Sequence, residues 1–161
     1  MSATAEGWLY LAGIKDLYTC EVVGHAMEGR MTTDLVSHAL GKAVGTKHPR
    51  PGLIHHSDRG SQYGAQDYQD QLREFGLIPS MSRKGNCYDN APMESFWGTL
   101  KNELVHHRRY ATREQARREI TEYIELFYNR QRRHSRLGNC SPAASARMPS
   151  PTRPAPTTRS T

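Results

Sequence analysis

Strands alternating with helices predict an α/β protein, a mixed sheet flanked by helices. Three observations carry this. Two apolar runs rich in aromatic and branched residues, "GWLYLAGI" (7–14) and "CEVVGHAM" (20–27), are separated only by "KDLYT", a hairpin connection. A stretch with helical spacing follows them. Two shorter segments, "LIHHS" and "LIPSMS", then bracket a second helical stretch, so the later one can join a sheet only through a crossover.

Each element has its own signal. Thr32 or Thr33 is a candidate N-cap for "TDLVSHALGKAV", where Leu35, Ala39, Leu40 and Val44 recur at helical spacing. "KHPRPG" then breaks the chain. "AQDYQDQLREFG" predicts a second helix stopped by Gly76. Beyond "LIPSMS", residues 82–89 read as a polar, mobile loop, and Pro92 sits where the first turn of a helix tolerates a missing N–H. On that helix Glu94, Trp97, Gly98, Lys101 and Val105 share one face. Trp97 reads as a packing residue. A long amphipathic helix follows in "TREQARREITEYIELFYNRQRRHS", with Ile120, Tyr123, Ile124, Phe127 and Tyr128 as its apolar face.

Composition excludes several classes. With 36% hydrophobic and 24% charged residues, the 161-residue chain is long enough for one domain plus tails. No apolar run reaches the roughly 18 residues that a membrane span needs, and no basic segment precedes the N-terminal apolar patch, so a cytoplasmic protein without a membrane partner is expected. Cys20, Cys87 and Cys140 are scattered and include no C-x-x-C pair, which argues for reduced, incidental thiols. Charge is uneven. Residues 1–100 hold 9 Lys/Arg against 11 Asp/Glu, whereas residues 101–161 hold 13 against 5, so the net +6 belongs to the last third. Arg130, Arg132, Arg133, His134 and Arg136 cluster at the end of the long helix and exceed what a helix dipole needs, which points to phosphate contact; Arg108 and Arg109 extend that surface.

Asp58 stands just past "LIHHS", at the carboxyl end of a strand, where α/β sheets gather ligands. Taken alone, such an acid reads equally as an Asx-turn residue or a helix cap. Glu94 alone reads as a partner of its helix dipole.

Four stretches, "EGWLYLAGIKDLYTCEVVGHAM", "HSDRGSQY", "SRKGNCYDNAPMESFWGTLKNEL" and "YIELFYNRQRRHSRLGNCSP", together resemble the DDE transposase and retroviral-integrase superfamily. They are most similar to the catalytic subunit of transposases of insertion-sequence family three. The resemblance runs from about Glu6 to Pro142, and 35 residues lie between Asp58 and Glu94, as in the "D-35-E" signature. It implies a ribonuclease-H-like fold in which three acids hold two Mg²⁺ (or Mn²⁺) ions, with Asp58 and Glu94 as catalytic metal ligands. Lys101 resembles the lysine that contacts DNA near the scissile phosphate. Asn90 falls in the family's "DN", with a capping or DNA-contacting role, and Arg83 and Lys84 are candidate phosphate contacts. The implied partners are double-stranded DNA, at element ends and at the target, and further copies of the chain.

One departure stands out. The family's first Asp, in a "D-x-T" motif, falls a few residues upstream of Met1, so the first strand is expected to be largely missing; Asp16 aligns with a hairpin-turn Asp instead. Residues 1–142 are expected to form the core, incomplete at its N-terminus and closed by the basic helix, and residues 143–161 a disordered Pro/Thr/Arg tail. The implied activity is metal-dependent phosphodiester hydrolysis and strand transfer at insertion-sequence ends. The alternative is a catalytically dead fragment that binds DNA or oligomerises with intact copies, and a ribonuclease-H-like nuclease is a third reading.

Overall fold

Two β-ladders with helices packed against them organise the protein, and the computed structural model describes it over residues 1–81 and 91–148. The readings that concern 82–90, Arg83, Lys84 and Asn90 among them, and 149–161 lie outside the described residues. Strands β1 (Ser2–Thr4), β2 (Gly7–Lys15) and β3 (Val22–Glu28) form an antiparallel sheet in that order. The β2–β3 turn is built on Asp16, which accepts hydrogen bonds from the Tyr18 N–H at 2.8 Å and the Thr19 hydroxyl at 3.0 Å. That is the turn role expected of it.

Alternation along β2 splits the core in two. Leu9 and Leu11 point to one face, against Phe96, Leu100, Ile120, Ile124 and Tyr128. Ala12 points to the other, against Leu35, Ala39 and Leu40 of α1 (Thr33–Lys47) and Tyr68 and Leu72 of α3 (Gln66–Glu74). Thr32 caps α1, its hydroxyl accepting from the Leu35 N–H at 3.3 Å. After α3 the chain reverses at Gly76, whose φ of +68° suits a glycine.

Strand β4 (Ile54–Ser57) pairs in parallel with β5 (Ile78–Met81), joined through α2 (Ser61–Gly64) and α3. The single mixed sheet read from the sequence is therefore two ladders, one antiparallel and one parallel. The reason lies in β1, whose three residues pair with Leu9, Trp8 and Gly7 at the opening of β2 and, through Thr4, make one bridge to Tyr110, but form no ladder with β4. Within the parallel pair, the registered partners Ile54 and Ile78 are 64% and 52% exposed, an apolar patch on this ladder.

Helix α4 (Ala91–Glu103) ends before Val105, which lies in a separate 3₁₀ turn, 105–107, and does not share the Glu94 face. Helix α5 (Arg113–Glu122) passes into a π-helical segment, Tyr123–Tyr128. The wider i→i+5 winding turns Phe127 outward, so that it is 40% exposed rather than part of the apolar face, while Tyr123, Ile124 and Tyr128 stay buried. Regular helix stops there, and the basic residues 130–136 follow it in a loop and a short 3₁₀ turn instead of forming the end of a basic helix. The expected core boundary at Pro142 is the first residue of α6 (Pro142–Ala146).

Asn129 fastens this C-terminal segment to the sheet. Its side chain is 8% exposed; Oδ1 accepts from the Val22 N–H and Nδ2 donates to the Val22 carbonyl, both at 2.9 Å. Asn129→Ala leaves both backbone groups without a partner and is expected to cost about 2–3 kcal/mol, read as a lower urea midpoint.

Candidate active site

Two histidines on β4 fix the strand that leads to Asp58. His55 Nε2 pairs with the Tyr68 hydroxyl at 2.9 Å, and His56 Nδ1 with Ser80 Oγ on β5 at 3.2 Å. Burial, with help from His56, pushes the His55 imidazole down to about 4. Burial also raises the Tyr68 phenol, so the pair is neutral in the folded protein at pH 7.

A stability prediction follows from the sign of that shift. The unfolded state takes up a His55 proton near 6.5, well above the folded value of about 4, so acid favours unfolding. The stability that neutral His55 contributes is complete above pH 6.5 and disappears as pH falls through about 4. His25 and His134, also lowered chiefly by burial, act in the same direction. His55→Gln, which can still pair with Tyr68, is expected to flatten the fall in thermal midpoint between about pH 6.5 and 4.

Asp58 is exposed just beyond β4, and its Oδ1 accepts from the Gly60 N–H at 2.7 Å. The turn reading of this acid is thus correct as far as it goes. A Cβ on Gly60 would lie 2.9 Å from that same oxygen, so glycine lets the turn close. Oδ2 takes no hydrogen bond from the described residues. Asp58 charge also helps burial to raise the Tyr63 phenol.

Glu94 is exposed in the first turn of α4 and makes no hydrogen bond or ion pair with the described residues. The helix beneath it is firmly seated. Phe96 and Leu100 are buried, and Trp97 packs against Phe96 with ring centres 4.8 Å apart, which is the packing role expected of it. Lys101, exposed, lies two turns further along the Glu94 face. Asp58 and Glu94 form no bond with each other, and no group of three or more His, Cys, Asp or Glu gathers as a metal site among the described residues. The donor set nevertheless suits a hard cation: two exposed carboxylates, one in the turn after β4 and one in the first turn of α4, with the remaining positions falling to water or phosphate.

The basic cluster divides. Arg132 is spent on Glu103, at 2.9 and 3.2 Å, and on the Tyr128 ring at 6.0 Å. His134 packs edge-on against Tyr128, ring centres 4.9 Å apart. Arg130, Arg133 and Arg136 remain exposed, Arg130 beside a groove shared with Lys47 and Arg147. One polar residue of this region escaped the sequence reading. Lys15 falls on the β2 face that carries Leu9 and Leu11, and a lysine at a core-facing strand position was the signal that could have found it.

Solved structures define the class. Over 94% of its length the chain superposes on 53% of a chain in the simian T-cell lymphotropic virus intasome in complex with PP2A regulatory subunit B56 gamma, with TM-score 0.72 and 16% identity. Over 84% it superposes on 91% of the HTLV-2 integrase catalytic core domain, solved with magnesium in a trimeric form, with TM-score 0.59 and 12% identity. The fold is that of retroviral integrase catalytic cores, ribonuclease-H-like.

The chain belongs to the integrase core domain family, which it matches over residues 1–87 and again over 76–142. It is 67% identical, over 88% of its length, to an uncharacterized 31 kDa protein of insertion element IS600 from Shigella sonnei. It is 50% identical, over 86%, to the transposase of IS904 from Lactococcus lactis and 48% identical, over the same share, to transposase InsF of IS3A from Escherichia coli. These matches cover 52%, 55% and 48% of the relatives, so the chain spans about half their length. No helix among the described residues is long and apolar enough to cross a membrane.

Proposed function

We propose that this chain supplies the catalytic core of an insertion-sequence transposase, which cuts and joins DNA at element ends. The observation that carries this reading is the pair of acids at D-35-E spacing, Asp58 and Glu94, both exposed, with only Asp58 Oδ1 engaged among the described residues, by the Gly60 N–H. Asp58, from the end of β4, and Glu94, from the first turn of α4, would hold the divalent ions, Mg²⁺ or Mn²⁺. When bound, such ions acidify the attacking water and offset charge on the leaving oxygen.

The protein's own contribution is to bind and orient. Lys101, on the Glu94 face, holds a phosphate near the acids, and Arg83, Lys84 and Asn90 supply further DNA contacts. Arg130, Arg133 and Arg136 neutralise phosphates further along the duplex. Arg132 and His134, already committed within the protein, act by holding that segment in place. Copies of the chain bridge two DNA ends.

The test is nicking and joining of duplex oligonucleotides carrying element ends, with Mg²⁺ or Mn²⁺ and with chelator. Metal-dependent nicks followed by joined products support the reading. Salt-dependent binding without turnover under either metal supports the non-catalytic DNA-binding role, and preferential cutting of RNA–DNA hybrids supports the nuclease.

A further inference from the structure

We propose that Lys15 is a positioning residue: it clamps the first turn of α4, and with it Glu94, to the C-terminal π-helical segment. Its ammonium stands at the junction of three elements. From the last position of β2, Nζ donates to the Pro92 carbonyl in α4 at 3.1 Å and to the Tyr128 hydroxyl at 3.0 Å. It also lies 5.7 Å from the centre of the Tyr128 ring.

A half-buried lysine on a core-facing strand position is costly unless its donors are used, and here two of three are. Burial lowers its pKa, with Cys20 opposing the shift and Arg136 and Arg132 adding to it. Both acceptors are rigid. Tyr128 is 1% exposed and packs edge-on against Phe96 of α4, ring centres 4.9 Å apart. Pro92 lies two residues before Glu94, so a shift of its carbonyl moves the Glu94 Cα with it.

Neighbouring contacts make the clamp specific to α4. Gly13, two residues earlier on the same strand face, leaves room for the next turn of the helix: a Cβ there would lie 3.3 Å from Trp97 Cη2 and 3.7 Å from Met93 Cε. At the far end of α4, Glu103 accepts from the Tyr123 hydroxyl at 2.5 Å and from Arg132. The C-terminal segment thus holds α4 at both ends, and Lys15 ties the end that bears the acid. The consequence for metal holding rests on the function proposed for Glu94, whereas the clamp on α4 does not.

The experiment uses the full chain with Lys15→Met, Lys15→Arg and Tyr128→Phe. Amide hydrogen exchange by mass spectrometry compares peptides within 94–100 and within 35–46, and water-proton relaxation measures Mn²⁺ affinity. Lys15→Met is expected to speed exchange in 94–100 on the order of tenfold, the effect allowed by one charge-assisted hydrogen bond, while 35–46 stays as in wild type. Mn²⁺ affinity is expected to fall by a similar factor, with recovery in Lys15→Arg, which keeps a donor. Tyr128→Phe, which removes one hydroxyl, gives a smaller shift in the same direction and decides the matter if Lys15→Met fails to fold. Unchanged exchange in 94–100, or equal acceleration in 35–46, overturns the clamp. If Asp58→Asn leaves wild-type Mn²⁺ affinity unaltered, the metal reading fails, and exchange alone then supports or overturns the positioning role.

Discussion

Gly24→Ala is expected to bring the protein close to unfolding. A methyl group at that position meets the Ala39 carbonyl oxygen at 2.3 Å and the Ala43 nitrogen and Cβ at 2.7 Å, far inside van der Waals contact. Two of those atoms are helix backbone, so no rotamer change relieves the clash, and α1 must move away from β3 as a body. Such a move loosens Leu35, Ala39 and Leu40, all within 1% of full burial. Overpacking of a core ordinarily costs about 1–3 kcal/mol; with backbone as the obstacle, about 3 kcal/mol or more is expected. That is a large part of a total near 5–15 kcal/mol. Urea unfolding reads it directly. Adding Ala43→Gly removes one methyl contact but leaves the Ala39 carbonyl, so recovery should be partial. A wild-type midpoint for Gly24→Ala would contradict the close seat of α1 on β3.

Nothing in the sequence marks Gly24 as different from Gly41 or Gly45, because its constraint comes from a helix packed across it. The same division runs through the rest of the fold. Local chemistry was legible: the Thr32 cap, the Gly76 reversal, the Asp16 turn and the alternation of β2 depend on neighbours in the chain. Features set by tertiary contact were not. The i→i+5 winding of Tyr123–Tyr128 answers to packing of Tyr123, Ile124 and Tyr128, and a 3.6-residue period carried across it misplaces Phe127 and extends the helix too far. Arg132 and His134 illustrate the same limit. As a run of charge they read like Arg130 and Arg133, yet Glu103, 29 residues from Arg132, and the Tyr128 ring, 6 residues from His134, draw them inward. The candidate acids Asp58 and Glu94 stand out in the sequence because their spacing and flanking motifs are a chain-level pattern; the Lys15 contacts behind Glu94 join residues 77 and 113 positions apart.

Asp58→Asn and Glu94→Gln are each expected to lower Mg²⁺-dependent strand cutting by more than about 100-fold, beyond the 10–100-fold typical of residues that merely support metal ligands. The choice of substitution separates two roles of Asp58. Asparagine keeps an Oδ1 that can accept from the Gly60 N–H, so the turn survives while the negative charge is lost. Stability should then change by no more than about 0.5 kcal/mol, as for other exposed positions. Asp58→Ala loses turn and charge together and should cost stability as well. Glu94→Gln gives up a favourable place in the first turn of α4, worth about 0.3–1 kcal/mol, which is too little to account for a 100-fold loss of rate through unfolding. If both acids hold the same ions, the double variant should be scarcely slower than either single one, since removing a second ligand from a site already emptied loses little more. Independent losses that multiply would instead assign the two carboxylates to separate tasks, and cutting that persists at wild-type rate in Asp58→Asn would falsify its place among the metal-holding acids, leaving it the turn alone.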